Sequence, residues 1–263
     1  MNQPLVSVIV TTKNEEKNIA RCLHAIKQQT YKPLEIIVVD NNSKDQTVAI
    51  SKLFTKNIYQ HGPERSAQRN FGAAKAKGAY LFFLDADMEL RPEAIASSVA
   101  SADKDCQAVI VKEIFIGRGF WSKCKALEKT SYSDSGEAEA ARFYTRKLFL
   151  QLNGYDEQLT GPEDMDMHHR AAAFTSFART GIILHYDEHI SYVQFLKKRY
   201  YYSLSLRRYF TKNPKAQQQE FHFIRKAYLK NWKLFLKHPI LALGFFVLRI
   251  GESCVVLCAL CKR

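Results

Sequence analysis

The sequence predicts an α/β protein, built on a mixed, mostly parallel sheet with helices on both faces and followed by a basic, aromatic and apolar helical tail. Three observations carry that expectation. Apolar runs of strand length alternate with stretches of helical periodicity through the first 190 residues. Two of those runs stop at an aspartate, Asp40 and Asp85, where a parallel sheet gathers its ligands. The formal net charge of +13 is also unevenly spread: residues 197–263 hold 15 Lys and Arg, and only Glu220 and Glu252 as acids.

The elements follow in order. Val6-Ser7-Val8-Ile9-Val10 is a buried strand, and Ile19, Cys22, Leu23 and Ile26 fall at i, i+3, i+4, i+7 of an amphipathic helix. Leu34 to Val39 is a second apolar strand, after which Asn41-Asn42-Ser43 supplies turn and N-cap chemistry. A short strand near Asn57–Tyr59, a helix from about Ser66 to Lys77 and the strand Tyr80-Leu81-Phe82-Phe83-Leu84 come next. Pro92 opens a helix and Ala108 to Ile114 makes a further strand. Gly119 to Ser135 is a mixed helix–loop region, followed by a short strand at Ala141–Thr145 and a helix to Leu152. Gly161-Pro162 then introduces Glu163-Asp164-Met165-Asp166, with Arg170 four residues beyond the last acid. Pro and acids in a first turn are ordinary helix-start chemistry, yet three acids on one turn also suit a general base at the mouth of a cleft.

Asp85-Ala86-Asp87 is the most informative triplet. Alternate strand residues share a face, so the two carboxylates point the same way. Read plainly, they end a strand in a turn; read chemically, they are two hard oxygen donors for a divalent cation that also grips phosphate.

The basic excess lies in the tail, and such a segment seeks a polyanion, either a membrane surface or nucleic acid. Lys197-Lys198-Arg199-Tyr200-Tyr201-Tyr202 and Arg207-Arg208-Tyr209-Phe210 lead to an apolar segment at about 239–261, interrupted by Arg249 and Glu252. A mid-helix charge costs roughly 2.5–3.5 kcal/mol to place in a bilayer, so an interfacial or partly inserted helix is expected rather than a full span. The alternative is a helix packed on the domain or on a second copy. No signal peptide is expected at Met1-Asn2-Gln3-Pro4, which places the catalytic body in the cytoplasm. The six cysteines show no metal-ligand grid and read as reduced thiols, mostly packing residues. Residues 1–190 are expected to form one domain, and residues 191–263 the tail.

In order and spacing these motifs resemble the family 2 glycosyltransferases. Ser7 to Glu16 is similar to that family's opening strand and nucleotide-binding loop, and Val38 to Thr47 to its second strand and acidic turn, with Asn42 where glycine is more usual. Arg69-Asn70 and Ala73 match the helix before the metal strand, Asp85-Ala86-Asp87 the DxD triplet, and Asn153 to Glu157 with Glu163-Asp164 the acceptor side. Gly119-Phe120-Trp121, Ala140 to Phe143 and His185-x-Asp187 resemble a membrane-associated branch, with Asp187 in place of a more usual Glu.

The resemblance implies the GT-A fold, a Rossmann-like sheet, and an inverting transfer from a UDP- or GDP-sugar to a lipid-linked or envelope glycan acceptor at the cytoplasmic face of a membrane. It implies a Mn2+ or Mg2+ ion on Asp87 and Asp85, with His185 either a third ligand or a strand-end histidine. Thr11, Asn14, Glu15 and Asp40 then bind base and ribose, Arg69, Arg142 and Glu163 line the donor site, and Asp164 is the base. For both arginines a structural ion pair is the plain alternative. A polyprenyl-phosphate acceptor is the second expectation, and association with an anionic membrane rather than nucleic acid the third; homo-oligomerisation is left open. Two rivals remain: a sugar-phosphate nucleotidyltransferase, disfavoured because Thr11-Thr12-Lys13-Asn14 has no glycine, and a non-catalytic polyanion-binding module.

Overall fold

The structure is a computed structural model that describes residues 3–133, 139–187, 190–214 and 226–261. Its strands are β1 (Val6–Thr12), β2 (Leu34–Asp40), β3 (Ile58–Gln60), β4 (Tyr80–Asp85), β5 (Met88–Leu90), β6 (Ala108–Gly117), β7 (Phe143–Thr145) and β8 (Phe177–Asp187). Among the described residues they form one sheet in the order β3-β2-β1-β4-β7-β6-β8-β5. β1 runs parallel to both β2 and β4, and β2 to β3, while β7 is antiparallel to β4 and β6. The expected mixed, mostly parallel sheet is therefore present.

Residue alternation fills both faces. On one, Val8, Val10, Val38, Phe82 and Leu84 pack with Ile19, Cys22, Leu23 and Ile26 of helix α1 (Ile19–Lys27). Beyond it come α2 (Thr47–Ser51) and α3 (Arg65–Lys75). On the other face, Ile9, Val39, Leu81 and Phe83 pack with Ala73 of α3. Each such fully buried side chain contributes about 1.5–3 kcal/mol relative to exposure. The approach of α3 is close enough that a Cβ at Gly72 would stand 2.5 Å from Ile9 Cγ2. Register then sets Thr12 beside Asp40 and Thr11 beside Asp85, bringing the carboxyl ends of β2 and β4 to either side of the end of β1.

The remaining helices are α4 (Ala94–Ser101), α5 (Phe120–Tyr132), α6 (Arg146–Gln151), α7 (Glu163–Ala171), α8 (Tyr192–Ser203), α9 (Leu206–Lys212), α10 (Lys226–Lys230), α11 (Trp232–Lys237) and α12 (Pro239–Cys261). The chain divides into two compact units. The first comprises residues 1–113, 140–157 and 167–184, and the second 114–139, 158–166 and 185–263. The last change of unit falls within β8, between Leu184 and His185, and two earlier stretches belong with the tail to the second unit.

In that second unit α12 packs on α5 and α8, with Cys124, Tyr132, Tyr228, Phe245 and Leu248 in the core between them. Arg249 and Glu252, expected as interruptions of an apolar segment, turn inward. Arg249 Nη1 lies 3.0 Å from Glu252 Oε2 and 3.9 Å from Glu128 Oε1. Lys125 Nζ reaches Glu128 Oε2 at 2.6 Å and Glu252 Oε1 at 2.8 Å, and the Tyr228 hydroxyl donates to Glu128 Oε1 at 2.8 Å. Two cations and two anions from α5 and α12 neutralise one another, as buried charges must. Cys22, Cys106 and Cys124 are buried, but Cys254, Cys258 and Cys261 lie exposed on α12, so only half of the thiols are packing residues.

Burial alone would raise the Glu128 carboxyl; Lys125, Arg249 and the Tyr228 hydrogen bond outweigh it and lower it to about 2 from an ordinary 4.5. A carboxyl held low stabilises the fold above its ordinary value, and that contribution fades as the pH falls from about 4.5 towards 2. Glu128→Gln is therefore expected to be less stable than the parent at neutral pH, with the gap closing on acidification. Urea midpoints measured across that range check it, and a gap independent of pH would contradict the ion network.

Candidate active site

β4 delivers its last residue, Asp85, to the carboxyl edge of the sheet with only 8% of its surface exposed. Thr11 Oγ1 donates to Asp85 Oδ1 at 2.8 Å, and Arg69 Nη2 meets the same oxygen at 2.9 Å. Arg65 Nη1 lies 3.5 Å and Arg142 Nη1 3.9 Å from Oδ2. Burial pushes the Asp85 carboxyl up, but Arg69, Arg65, Arg142 and the Thr11 hydroxyl together hold it well below the usual carboxylate range. Asp85 is an anion at any physiological pH. Arg69 is itself fully buried, with its guanidinium carbon 5.2 Å from the Tyr155 ring centre. Arg142 also donates through Nε to Glu113 Oε1 at 2.5 Å. Both arginines therefore take part in the structural ion pairs that were the plain alternative for them.

The loops after β1 and β2 are laced together. Ser43 Oγ accepts from the Asn14 amide at 2.8 Å, and Asn14 Oδ1 accepts from the Lys44 amide at 2.8 Å. The Glu15 amide donates to Thr47 Oγ1 at 2.7 Å, and Glu15 Oε2 accepts from Asn18 at 2.8 Å. Asp40 is buried and accepts from the Ser43 amide at 2.9 Å and the Ser43 hydroxyl at 2.5 Å. Asn14 and Asn42 hold left-handed backbones, with φ of 55° and 53°. Asparagine tolerates that region, which accounts for Asn42 where glycine was expected. Asn70 joins α3 to the segment after Asn153-Gly154, its side chain exchanging hydrogen bonds of 2.9 Å with both the amide and the carbonyl of Tyr155. Its part in the Arg69-Asn70 motif is to position that segment.

The acid turn belongs to the second unit. The Glu163 side chain is buried and accepts from the Gly161 amide at 2.6 Å, fixing a glycine whose φ is +104°. Asp164, half-buried, follows on the same turn of α7. Asp166 Oδ1 lies 3.3 Å from Asn213 Nδ2 and 4.0 Å from Lys212 Nζ at the end of α9. Arg170, beyond the unit boundary, donates to the carbonyls of Leu152 and Gly154 at 2.6 and 2.8 Å. His185 stacks on Phe115 at 4.8 Å between ring centres.

Among the described residues no group of three or more His, Cys, Asp and Glu makes a metal cluster. The donors at the end of β4 are Asp85, already engaged by guanidinium groups, and the half-exposed Asp87. That set fits a hard cation taking one or two protein carboxylates and completing its shell with phosphate and water, as Mg2+ does with nucleotides. Arg65 and Glu113 were missed in the sequence. Arg65 had one signal, its position four residues before Arg69 on the same helix face; Glu113 had none.

Removing Arg69 strands a buried anion, so Arg69→Met is expected to cost about 3–5 kcal/mol of stability. The half-exposed Arg65 should cost about 1 kcal/mol or less as Arg65→Gln. Equilibrium urea unfolding of the two variants measures the contrast, and equal losses would mean that Arg69 is not what holds Asp85.

Comparison with known proteins gives three findings. The family described as Glycosyl transferase family 2 matches residues 7–173. A GalNAc(5)-diNAcBac-PP-undecaprenol beta-1,3-glucosyltransferase of Campylobacter jejuni is 30% identical over 179 residues, 61% of this chain and 57% of that protein. Glycosyltransferase AglE of Haloferax volcanii is 40% identical over 93 residues, 32% of this chain and 31% of that protein. The chain thus spans from about a third to just over half of the length of these relatives. Among solved structures, a mannosyltransferase of Pyrobaculum calidifontis in complex with GDP-Man and Mn2+ superposes with a TM-score of 0.59 at 19% identity, over 98% of this chain and 74% of that one. S. aureus TarS 1-349 in complex with UDP-GlcNAc gives 0.53 at 17% identity, over 96% and 90%. At these identities the likeness concerns the fold.

Proposed function

The chain belongs to glycosyl transferase family 2, and on that footing we propose that it transfers a sugar from a UDP- or GDP-sugar to a hydroxyl of a lipid-linked or envelope glycan, with inversion. The observation that carries this function is the row formed by Asp40, Thr11, Thr12 and Asp85 at the carboxyl edge of the parallel strands, with Asp85 held ionised by Arg69, Arg65 and Arg142. Parallel sheets bind nucleotides at that edge. The lipid-linked acceptor follows the name of the Campylobacter jejuni relative.

In this mechanism Thr11, Asn14, Glu15 and Asp40 border the base and ribose, where carboxylates accept from imide N–H and sugar hydroxyls. Asp87 would hold a Mn2+ or Mg2+ ion, and Asp85 would hold a water or ribose hydroxyl. The cation, when bound, neutralises charge on the departing diphosphate. His185 is the candidate further ligand, and an imidazole donor would favour Mn2+. Arg65, the most exposed of the three, presents a guanidinium suited to phosphate oxygens, while the buried Arg69 and Arg142 keep Asp85 ionised. Glu163 fixes the turn that presents Asp164. Asp164 accepts the proton of the acceptor hydroxyl as its oxygen bonds to the anomeric carbon and the bond to the diphosphate breaks, without a covalent sugar–enzyme intermediate. The basic tail keeps this chemistry at the cytoplasmic face of a membrane.

Asp164→Asn should lower kcat by about 10²–10⁴ with donor binding unchanged, the usual worth of a general base. Steady-state rates with a hydroxyl acceptor check it. Undiminished turnover would favour a polyprenyl-phosphate acceptor, whose oxygen is already anionic. A second measurement is thermal unfolding with UDP, GDP, CDP and dTDP, each with and without Mn2+. UDP or GDP is expected to raise the midpoint by mass action, and further with the metal; no shift with any nucleotide would overturn the donor assignment.

A further inference from the structure

The tail carries an exposed apolar helix face of defined composition. α12 is the one helix long and apolar enough to cross a membrane among the described residues, yet its two faces differ completely. The inner face carries Arg249 and Glu252, locked to Lys125 and Glu128 of α5. Gly244 lets it approach closely, since a Cβ there would stand 2.5 Å from Cys124 Sγ. The outer face is Ile240, Leu243, Val247, Ile250, Cys254 and Leu257, a stripe spaced three and four residues apart without a charge. Ile240, Leu243 and Ile250 are 74%, 68% and 57% exposed. The helix is about 34 Å long at 1.5 Å per residue.

Cations bracket this stripe. Before it, α11 exposes Lys233 and Lys237 beside Trp232 and Leu236, and buries none of its residues. At the far end Arg207 of α9 donates to the Leu260 carbonyl, and the sequence continues Lys262-Arg263. An uncharged apolar stripe between basic ends, with a tryptophan at one of them, is the composition of a helix lying in a headgroup layer.

We propose that α12 lies in the plane of an anionic bilayer with its outer stripe in the acyl boundary, docking the second unit to one leaflet without crossing it. A crossing orientation would pull Arg249 and Glu252 into hydrocarbon and strip Lys125 and Glu128 of their partners. The in-plane orientation leaves that network intact and immerses only the stripe. The occupant is lipid because the basic excess complements an anionic surface, whereas a second copy would present the same positive charge. The proposal rests on the transferase reading only for the purpose of the docking, which is to hold the enzyme where a lipid-linked acceptor resides.

The full chain is tested by flotation with vesicles of phosphatidylcholine alone and of phosphatidylcholine with phosphatidylglycerol. Binding to the mixed vesicles is expected, falling with added salt. Leu243→Glu, Ile250→Glu and Leu257→Glu should each weaken it about tenfold or more, a charge now entering the acyl boundary, while circular dichroism and the nucleotide-induced thermal shift stay as in the parent. Tags at both termini, probed with protease in inside-out and right-side-out membrane vesicles, should be cut from the same side. Tags on opposite sides would overturn the proposal in favour of a span. Absence of vesicle binding, with the parent a dimer that Leu243→Glu makes monomeric, would overturn it in favour of a second copy. The nucleotide shift reports separately on the transferase reading, so either can fail alone.

Discussion

A carboxylate cannot be buried at the end of a strand unless something close by neutralises it, and the position of Asp85 therefore dictates much of the first unit. Its partners arrive from separate elements: Thr11 from β1, Arg65 and Arg69 from α3, and Arg142 from the residue before β7. Each is fixed by a different piece of packing. β1 is set by its parallel register on β4, α3 by the absence of a side chain at Gly72, and Arg142 by its second bond to Glu113. Several elements converge on one anion, so the edge that would receive the nucleotide diphosphate is already polarised before any ligand arrives.

The second unit solves the same problem differently. Arg249 and Glu252 sit in a helix apolar enough to be taken for a span, and each would be costly alone. Lys125 and Glu128, three residues apart on α5, turn that cost into an interhelical bond. Such a network contributes specificity of orientation rather than much net stability, because its desolvation largely offsets its attraction. It selects which face of α12 is inner. Removing the helix outright would leave Lys125 and Glu128 facing each other without their outer partners and would uncover Cys124, Tyr132 and Tyr228, on which Phe245 and Leu248 pack, so loss of membrane binding after truncation would not isolate the stripe.

The parts of this arrangement that follow from periodicity were legible in the sequence. β1, β2, β4 and α1 follow from alternation and from the i, i+3, i+4, i+7 spacing, because local patterning alone decides which face is buried. The acidic strand ends were legible for the same reason. Pairings between distant residues were not. Nothing near Glu113 in sequence announces Arg142, and the residues joining α5 to α12 are more than a hundred positions apart. The mixed helix–loop region at 119–135 contains α5 because Cys124, Glu128 and Tyr132 are buried against the tail, a tertiary effect that weak local amphipathicity does not show. Asp40 was read as a ligand-facing carboxylate; in the structure it also caps its own turn through Ser43, a role the Asp-Asn-Asn-Ser run could have suggested.

The acid turn and the apolar tail share one hydrophobic cluster. Leu159, just before the Gly161-Pro162 bend, is fully buried among Leu206, Tyr209 and Phe210 of α9 and Val256 of α12. Thr160 exchanges hydrogen bonds with Ser205, its amide donating at 3.1 Å and its carbonyl accepting at 2.9 Å. Asp166 is engaged by Lys212 and Asn213. The residues around Asp164 are therefore held by α9 and α12, while Asp40, Thr11 and Asp85 belong to the other unit. Under the proposed function the acceptor would be deprotonated within this unit, so a disturbance of α12 should reach acceptor chemistry before it reaches nucleotide binding. In the proposed reading α12 has two roles: its outer stripe would locate the enzyme, and Val256 on its inner face packs with Leu159 just before the turn that carries Asp164.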